Sequence, residues 1–473
     1  MQHALRTTGA VLAAQGIRFT GSLLLAAVLV RVFTPEGYGR YAAALALAAQ
    51  FAFLADLGIP LLLRQRVQPA NLAAARPYLV VSLSGLAAML LIAVLLAPIM
   101  DRSAASPSLL FVVTAVVGLA GVQTALGAVL QAMNRAPTEA VLAVLDRIGI
   151  IAVAVLTGIT LHSLILTVGG IALWRLAVAT ASVAYLPGLL RKSDMAVSKV
   201  SSVVRDGIPY AANVFATAVY QSADIMMAGF LFPATQVGYY AAATAIFIPL
   251  TAVASATAVT TQLALTRLYE GADQAGGTRH LRTANTWLLL LGGLFAIAIA
   301  GSRHVIAALL FDDRSGAIAW YLLVLSFLLP LRYLNNTLAT SLTAAGRQRD
   351  RSVAIGIAAA FNVVSNLIAL PALGPRGAAL TTILTEFVIC AAVARAIWRT
   401  RREGLLAMIP APPAWLGALF LAGAITVLAP SAWALPACLL AGAIFVATLE
   451  ATNAVELRMV MFGVRQFLTN RGE

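Results

Sequence analysis

The stretch RVFTPEGYGRYAAALALAAQFAFLADLGIPLLLRQR runs from Arg31 to Arg66. It ends one apolar helix, turns through Pro35, Gly37 and Gly39, and starts a second. Proline is at home in the first turn of a helix and glycine permits tight backbone geometry, so the stretch predicts a helical hairpin. The second arm carries one acid, Asp56, and stops at Arg64 and Arg66. A carboxylate at bilayer depth costs about 2.5–3.5 kcal/mol on insertion scales. Asp56 is therefore a candidate either for function or for holding helices together.

Working outward, the whole chain shares this character. Apolar residues make up 61% of it and charged residues 11%, and mean hydropathy is +0.91. A soluble domain has about 25% charged residues. Apolar runs repeatedly reach about 20 residues, enough to cross about 30 Å of hydrocarbon. The expected class is an all-α polytopic membrane protein. The first run, Gly9 to Phe33, is longer than a signal-peptide core and is read as a retained span.

Window length and breaker residues give about fourteen spans. Six run approximately 9–33, 38–63, 77–98, 108–133, 137–159 and 163–187. Six more run approximately 207–232, 236–265, 284–310, 316–345, 352–371 and 376–398, and two others 413–430 and 432–452. The domain reading follows: an N-terminal lobe at 1–187, a basic cytoplasmic linker at 188–205, a C-terminal lobe at 206–400, and two extra spans with an interfacial tail helix at 401–473.

The net charge of +14 does not imply nucleic acid. The basic residues sit in short loops between spans, where they set orientation. Alternate loops hold Arg64, Arg66 and Arg76; Arg135; Arg191, Lys192, Lys199 and Arg205; Arg267, Arg279 and Arg282; Arg347, Arg349 and Arg351; and Arg395, Arg399, Arg401 and Arg402. The intervening loops hold Arg40, Arg102, Arg303, Arg314 and Arg376, an asymmetry of about four to one. The first set is expected to be cytoplasmic, and an even span count puts both termini there.

An internal repeat is visible. Val32 to Ala48 resembles Leu231 to Phe247, with Gly39 opposite Gly238 and Tyr41 opposite Tyr240. Ala125 to Ala136 resembles Leu338 to Arg349, with Arg135 opposite Arg347. Spans one to six are thus echoed by seven to twelve. Six is even, so the two six-helix repeats are parallel. In transporters of that geometry the substrate path lies between halves that rock.

Several polar side chains fall inside spans. Gln15, Arg18 and Ser22 share one face of the first. Arg147 sits beside Asp146 in the fifth, and Arg175 is mid-depth in the sixth. The seventh carries a stripe of Asn213, Thr217, Tyr220 and Asp224. Thr244, Thr251, Ser255 and Gln262 mark the eighth, and Arg332, Asn336, Thr340 and Thr343 the tenth. Asn362 and Asn366 lie one turn apart in the eleventh, and Glu386 is in the twelfth. Such residues face protein or a water-filled cavity. Arg18, Arg147, Arg175 and Arg332 outnumber the acids expected at similar depth. A cationic cavity suits an anion, and the planar guanidinium fork fits phosphate. The chain has thirty arginines and two lysines, a bias that also reflects base composition.

No metal or cofactor is expected. Cys390 and Cys438 lie in apolar runs, and the four histidines show no ligand spacing. Walker loops, zinc motifs and nucleophile elbows are missing, so neither ATP-driven transport nor enzymatic catalysis is expected.

These residues resemble a known family. Arg31 to Ile59 resembles the first hairpin of bacterial polysaccharide flippases. VYQSADIMMAGFLFPATQVGYY, Val219 to Tyr240, is similar to their second-half signature. LGPRGAALTTILTE, Leu373 to Glu386, is similar to their turn between the eleventh and twelfth helices. Phe33 and Thr34 replace the usual Leu-Gly before Pro-Glu. The resemblance implies the MATE-like fold of the multidrug/oligosaccharidyl-lipid/polysaccharide exporter superfamily, here with two extra helices. It implies a substrate too: an oligosaccharide on a polyprenyl pyrophosphate, moved from the cytoplasmic to the outer leaflet of the bacterial inner membrane. The family's cavity arginines would map to Arg18, Arg147 and Arg332, and Arg31, Asp56 and Asp224 match its motif positions.

The expected site therefore comprises Gln15, Arg18, Arg147, Arg175, Asn213, Tyr220, Arg332 and Asn336 for substrate. Asp56, Asp224 and Glu386 are candidates for ion or proton coupling. Expected partners are membrane lipids, a polysaccharide polymerase and glycosyltransferases. Three alternatives stay open. A peptidoglycan-precursor flippase is barely separated. An ion-coupled multidrug exporter favours an acid in the first helix, where this chain has Arg18. A membrane glycan polymerase or ligase would carry a sizeable outward loop, and the outward loops here are short.

Overall fold

The computed structural model describes residues 21, 24–66, 72–100, 105–186, 197–311, 316–401, 408, 412–428 and 434–451. The chain packs as two compact units. One is Met1–Pro249 with Ile355–Thr385, and the other is Leu250–Ala354 with Glu386–Glu473.

The opening hairpin forms as its residues require, with one bend. Residues 24–32 are helical, and α1 spans Pro35–Phe51. Thr34 caps α1, its hydroxyl accepting the Gly37 N–H at 3.2 Å. Pro35 occupies the first turn, and Glu36 pairs with Arg40 at 2.6 Å. The second arm, one span over 38–63 by hydropathy, is bent by 42°. A short turn, Phe53–Asp56, is followed by Leu57 at φ +42° and Gly58 at φ +68°, and α2 restarts at Ile59–Arg66. Asp56 stabilises the break, its carboxylate accepting the Gly58 N–H at 3.0 Å. The Ala55 carbonyl is satisfied by Ser82 Oγ at 2.8 Å. Pro60, which has no N–H to donate, sits just inside α2.

The rest is helical throughout, with no strand among the described residues. In the first unit α3 is Arg76–Met100, α4 Pro107–Ala132, α5 Ala136–Leu161 and α6 Leu164–Ala184. Ser106 and Ser163 cap α4 and α6. Then come α7, Val197–Leu231, and α8, Ala234–Glu270. Next are α9, Gln274–Phe311, α10, Ala317–Ser326, and α11, Leu328–Ala344. After α12, Gln348–Leu373, and α13, Pro375–Arg401, the described helices end with α14, Pro412–Leu428, and α15, Ala434–Ala451.

Ten of the described helices are long and apolar enough to cross a membrane, or eleven with the bent arm counted as one. This is a multi-pass membrane protein. The helices α14 and α15 are apolar but shorter. Of the first span only residues 21 and 24–33 are described, and the expected interfacial helix near 453–470 lies outside the described residues. Two helices start earlier than hydropathy predicts. The first residues of α7 and α9 are Val197 and Gln274, not residues near 207 and 284. Hydropathy sees only the apolar part of a helix; the extension of α7 has no breaker before Gly207, and that of α9 stays helical through Gly276 and Gly277.

Each unit has its own core. In the first, Ile59, Leu62 and Leu63 of α2 pack with Tyr78, Val122, Leu126 and Val129. In the second, Phe445 stacks edge-on to Trp415 at 5.9 Å and fills the space above Gly293. Outward positions stay apolar and exposed, as Leu173 at 70% and Ile368 at 70% show, which is the pattern of a lipid-facing surface.

The two stretches paired by Arg135 and Arg347 end alike in the backbone. The helix α4 ends with Asn134 at φ +58° and the Arg135 N–H on the Leu130 carbonyl at 2.8 Å. The helix α11 ends with Gly346 at φ +72° and the Arg347 N–H on the Leu342 carbonyl at 2.8 Å. The same left-handed C-terminal turn closes both.

Candidate functional site

Arg147 and Arg175 come together. Both lie near the middle of their helices, α5 and α6, and both line a cavity of about 160 Å³ in the first unit. Gln123 of α4 and Asp146 and Glu139 of α5 line it too. Glu139 and Asp146 are seven apart, which places them on one helical face. Arg175 Nη1 donates to the Val116 carbonyl at 2.7 Å. Gln123 Nε2 donates to Asp146 Oδ1 at 3.2 Å and to the Arg175 carbonyl at 3.0 Å. Arg147 packs on Gly21, where a Cβ would run into its side chain. The cationic surplus expected from the sequence is absent from this cavity, whose charged lining is two arginines and two acids.

Arg332 and Glu386 also meet. Arg332 Nε donates to Glu386 Oε1 at 2.7 Å, with the acid fully buried and the arginine side chain 20% exposed. Asn335 Nδ2 donates to Glu386 Oε2 at 2.8 Å and to the Glu386 carbonyl at 2.9 Å. One turn along α11, Asn336 Nδ2 reaches Ser255 Oγ of α8 at 3.5 Å. The tenth and eighth spans thus share a polar face in the second unit.

Asp224 is buried in the first unit. The Tyr240 hydroxyl donates to its carboxylate, and Thr382 Oγ1 lies 3.1 Å from the same oxygen. Next to Thr382 on α13, Thr381 Oγ1 donates to Asn366 Oδ1 of α12 at 2.8 Å. Asn213 and Tyr220 lie on α7 with Asp224, and Thr217 Oγ1 returns to the Asn213 carbonyl at 2.7 Å. Asp56 serves the helix break described above. Gln15 and Arg18 lie outside the described residues. No cluster of metal-ligating side chains occurs among the described residues.

Sequence reasoning missed Gln123 and Asn335. A signal existed. Setting Arg135 opposite Arg347 fixes an offset that puts Gln123 opposite Asn335.

A family model described as polysaccharide biosynthesis protein matches residues 4–263, more than half of the chain. The chain belongs to that family. No curated protein matches it at a significant level. Among solved structures, this polysaccharide biosynthesis family member is similar to the lipid II flippase MurJ in an inward closed conformation. The TM-score is 0.71 at 12% identity, covering 94% of this chain and 98% of that one. It is similar to an inward-facing multidrug resistance MATE family transporter of the MOP superfamily, with TM-score 0.58, 16% identity, and 83% and 94% coverage. A MOP superfamily transporter from Pyrococcus furiosus, whose binding pocket is described as reversed in polarity, matches with TM-score 0.50, 15% identity, and 84% and 92% coverage. At these identities the likeness is one of fold: the polysaccharide biosynthesis family member has the flippase-type transporter fold of that superfamily. These neighbours are transporters, not enzymes.

Proposed function

We propose that the protein is a flippase for an oligosaccharide carried on a polyprenyl pyrophosphate, delivering it to the outer leaflet of the bacterial inner membrane. The observation that carries this reading is the polysaccharide biosynthesis match over residues 4–263 on a chain with a flippase-type fold. The physical task is to take a diphosphate and several sugars past hydrocarbon while the lipid tail stays in lipid. Water stabilises a diphosphate through hydrogen bonds that hydrocarbon cannot supply. Arginines at mid-depth supply charge-assisted replacements, and Arg18, Arg147, Arg175 and Arg332 are assigned that role. Gln15, Asn213, Tyr220 and Asn336 are assigned to sugar hydroxyls. The two halves then alternate between openings. Among the acids, coupling to an ion or proton is assigned to Asp224. A polymerase and glycosyltransferases of the same glycan are the expected partners, and both termini are assigned to the cytoplasm.

A second reading, a lipid-linked peptidoglycan-precursor flippase, is favoured by the likeness to the lipid II flippase over nearly the full length of both chains. Both readings use a polyprenyl diphosphate. Deletion of the gene separates them: loss of a surface glycan with intact cell wall supports the first, and arrest of wall synthesis the second. Under the first reading, Arg18→Ala protein reaches the membrane, export stalls, and lipid-linked oligosaccharide accumulates on the inner leaflet. Wild-type export from that variant would remove Arg18 from the site. Reporter fusions check orientation, with one near Glu36 expected outside and one near Ser193 inside.

A further inference from the structure

Each half of the repeat contains a carboxamide, half-buried Gln123 in one and buried Asn335 in the other, that donates to a backbone carbonyl and to a carboxylate of neighbouring spans. Gln123 Nε2 donates to the backbone carbonyl of Arg175 at 3.0 Å. Asn335 Nδ2 donates to the backbone carbonyl of Glu386 at 2.9 Å. Each carboxamide also donates to a carboxylate, Gln123 to Asp146 at 3.2 Å and Asn335 to Glu386 itself at 2.8 Å. Setting Arg135 opposite Arg347 places the two amides at matching positions. What differs is the sign of the charge at the clamped position: Arg175 in one half, Glu386 in the other.

In the second half the clamp has a direction. Glu386 is held at both oxygens, by Asn335 on one side and Arg332 Nε on the other. Arg332 and Asn335 are three apart on α11, so they reach α13 from one helical face. A carboxylate bound at both oxygens cannot rotate, and a guanidinium bound through Nε has its plane fixed. The acid end of the pair is closed, at 0% exposure, while the arginine side chain is 20% exposed. The arrangement orients a cation toward the open side and anchors it from behind.

We propose that Asn335 is a positioning residue for anion capture: it holds Glu386, Glu386 holds Arg332, and Arg332 engages the diphosphate of the lipid-linked substrate. Glu386 is on this view an anchor and not the coupling acid. The proposal rests on the diphosphate-lipid reading above, and its test separates the two.

The test is binding of undecaprenyl pyrophosphate to the full-length protein in lipid nanodiscs, with undecaprenol as the uncharged control. Wild-type protein is expected to prefer the pyrophosphate. Arg332→Gln keeps an amide donor for Glu386 and removes the charge, and is expected to lose about tenfold in affinity or more. Asn335→Ala is expected to lose about tenfold, the scale of one charge-assisted hydrogen bond, with Asn335→Gln recovering part of the loss. Asn335→Ala added to Arg332→Gln is expected to cost nothing further, because both act through one cation. Additive losses would mean that Asn335 is merely structural and would overturn the proposal. So would unchanged affinity in Asn335→Ala. If wild-type protein does not distinguish pyrophosphate from undecaprenol, the diphosphate reading fails instead. Where Asn335→Ala does not accumulate, Glu386→Gln completes the same cycle. Binding lost with Glu386→Gln, without further loss on adding Arg332→Gln, supports anchoring. Binding kept while transport loses its gradient dependence makes Glu386 a coupling acid and overturns it.

Discussion

Gly39 of α1 and Gly238 of α8 touch each other's helices reciprocally. A Cβ on Gly39 would run into the carbonyl of Ala234, four residues before Gly238. A Cβ on Gly238 would run into the carbonyl of Pro35, four residues before Gly39. The two residues occupy matching positions of the internal repeat, so the similarity between the two turns is also a contact between them. Glycine at both positions lets the backbones approach within van der Waals distance, the small-residue packing on which membrane helices rely.

The first prediction concerns this crossing. Gly39→Ala or Gly238→Ala forces the backbones apart, because the obstructing atom is a carbonyl and not a flexible side chain. Overpacking of this kind costs about 1–3 kcal/mol. Thermal unfolding in detergent should fall measurably for either single variant. The double variant should fall less than the sum, since separating the helices once relieves both clashes. Strict additivity would show that the two glycines are not one contact.

A second prediction concerns the charged cavity. Arg175 supplies a positive charge beside Asp146 and a donor to the Val116 carbonyl. Arg175→Ala leaves that carbonyl and part of the acid's environment unsatisfied. Leaving a buried acceptor without its donor costs about 1–3 kcal/mol, and that is the loss expected here. Asp146→Asn in the same chain should recover part of it by removing the uncompensated charge. Thermal unfolding of the single and double variants decides the matter.

Much of this was legible in the sequence. Pro35, Gly37 and Gly39 mark the turn into α1, because a turn needs only local residues. Arg135 and Arg347 announced the repeat. The bend after Ala52 was not read, although Gly58 and Pro60 were there to read, because the apolar run continues through it and hydropathy counts residues without following the backbone. The pairing of Arg332 with Glu386 was not read for a different reason. Helical period tells which face a residue occupies and says nothing about what another span, 54 positions away, brings to that face. Hence the acid that accompanies Arg332 is found only in the structure.

A third prediction uses Arg66 and Asp206, which pair at 2.5 Å between the end of α2 and the early part of α7. The side chains are 49% and 28% exposed, so solvent screens the bond and it should contribute little. Arg66→Ala should therefore leave thermal stability almost unchanged. Arg66→Asp places two acids together and should lower export in cells. Adding Asp206→Arg should restore it by reversing the pair. Failure of the reversed pair to restore export would mean that Arg66 acts through something other than Asp206.

The last prediction separates coupling from packing at Asp224. The acid is 5% exposed and accepts from Tyr240, with Thr382 Oγ1 at 3.1 Å. Three helices, α7, α8 and α13, therefore meet at one carboxylate. If its role were only to join them, Asp224→Asn would be a mild change, because an amide oxygen still accepts from both hydroxyls. Tyr240→Phe would then be the worse lesion, since it deletes a donor between two helices. If the charge itself is used, the order reverses. Asp224→Asn should abolish the response of transport to an imposed proton or sodium gradient in proteoliposomes while the protein stays folded. Tyr240→Phe should weaken that response by about tenfold or less, the scale of one hydrogen bond to a charged group. A wild-type gradient response in Asp224→Asn would remove this residue from coupling and leave it as a joint between three helices.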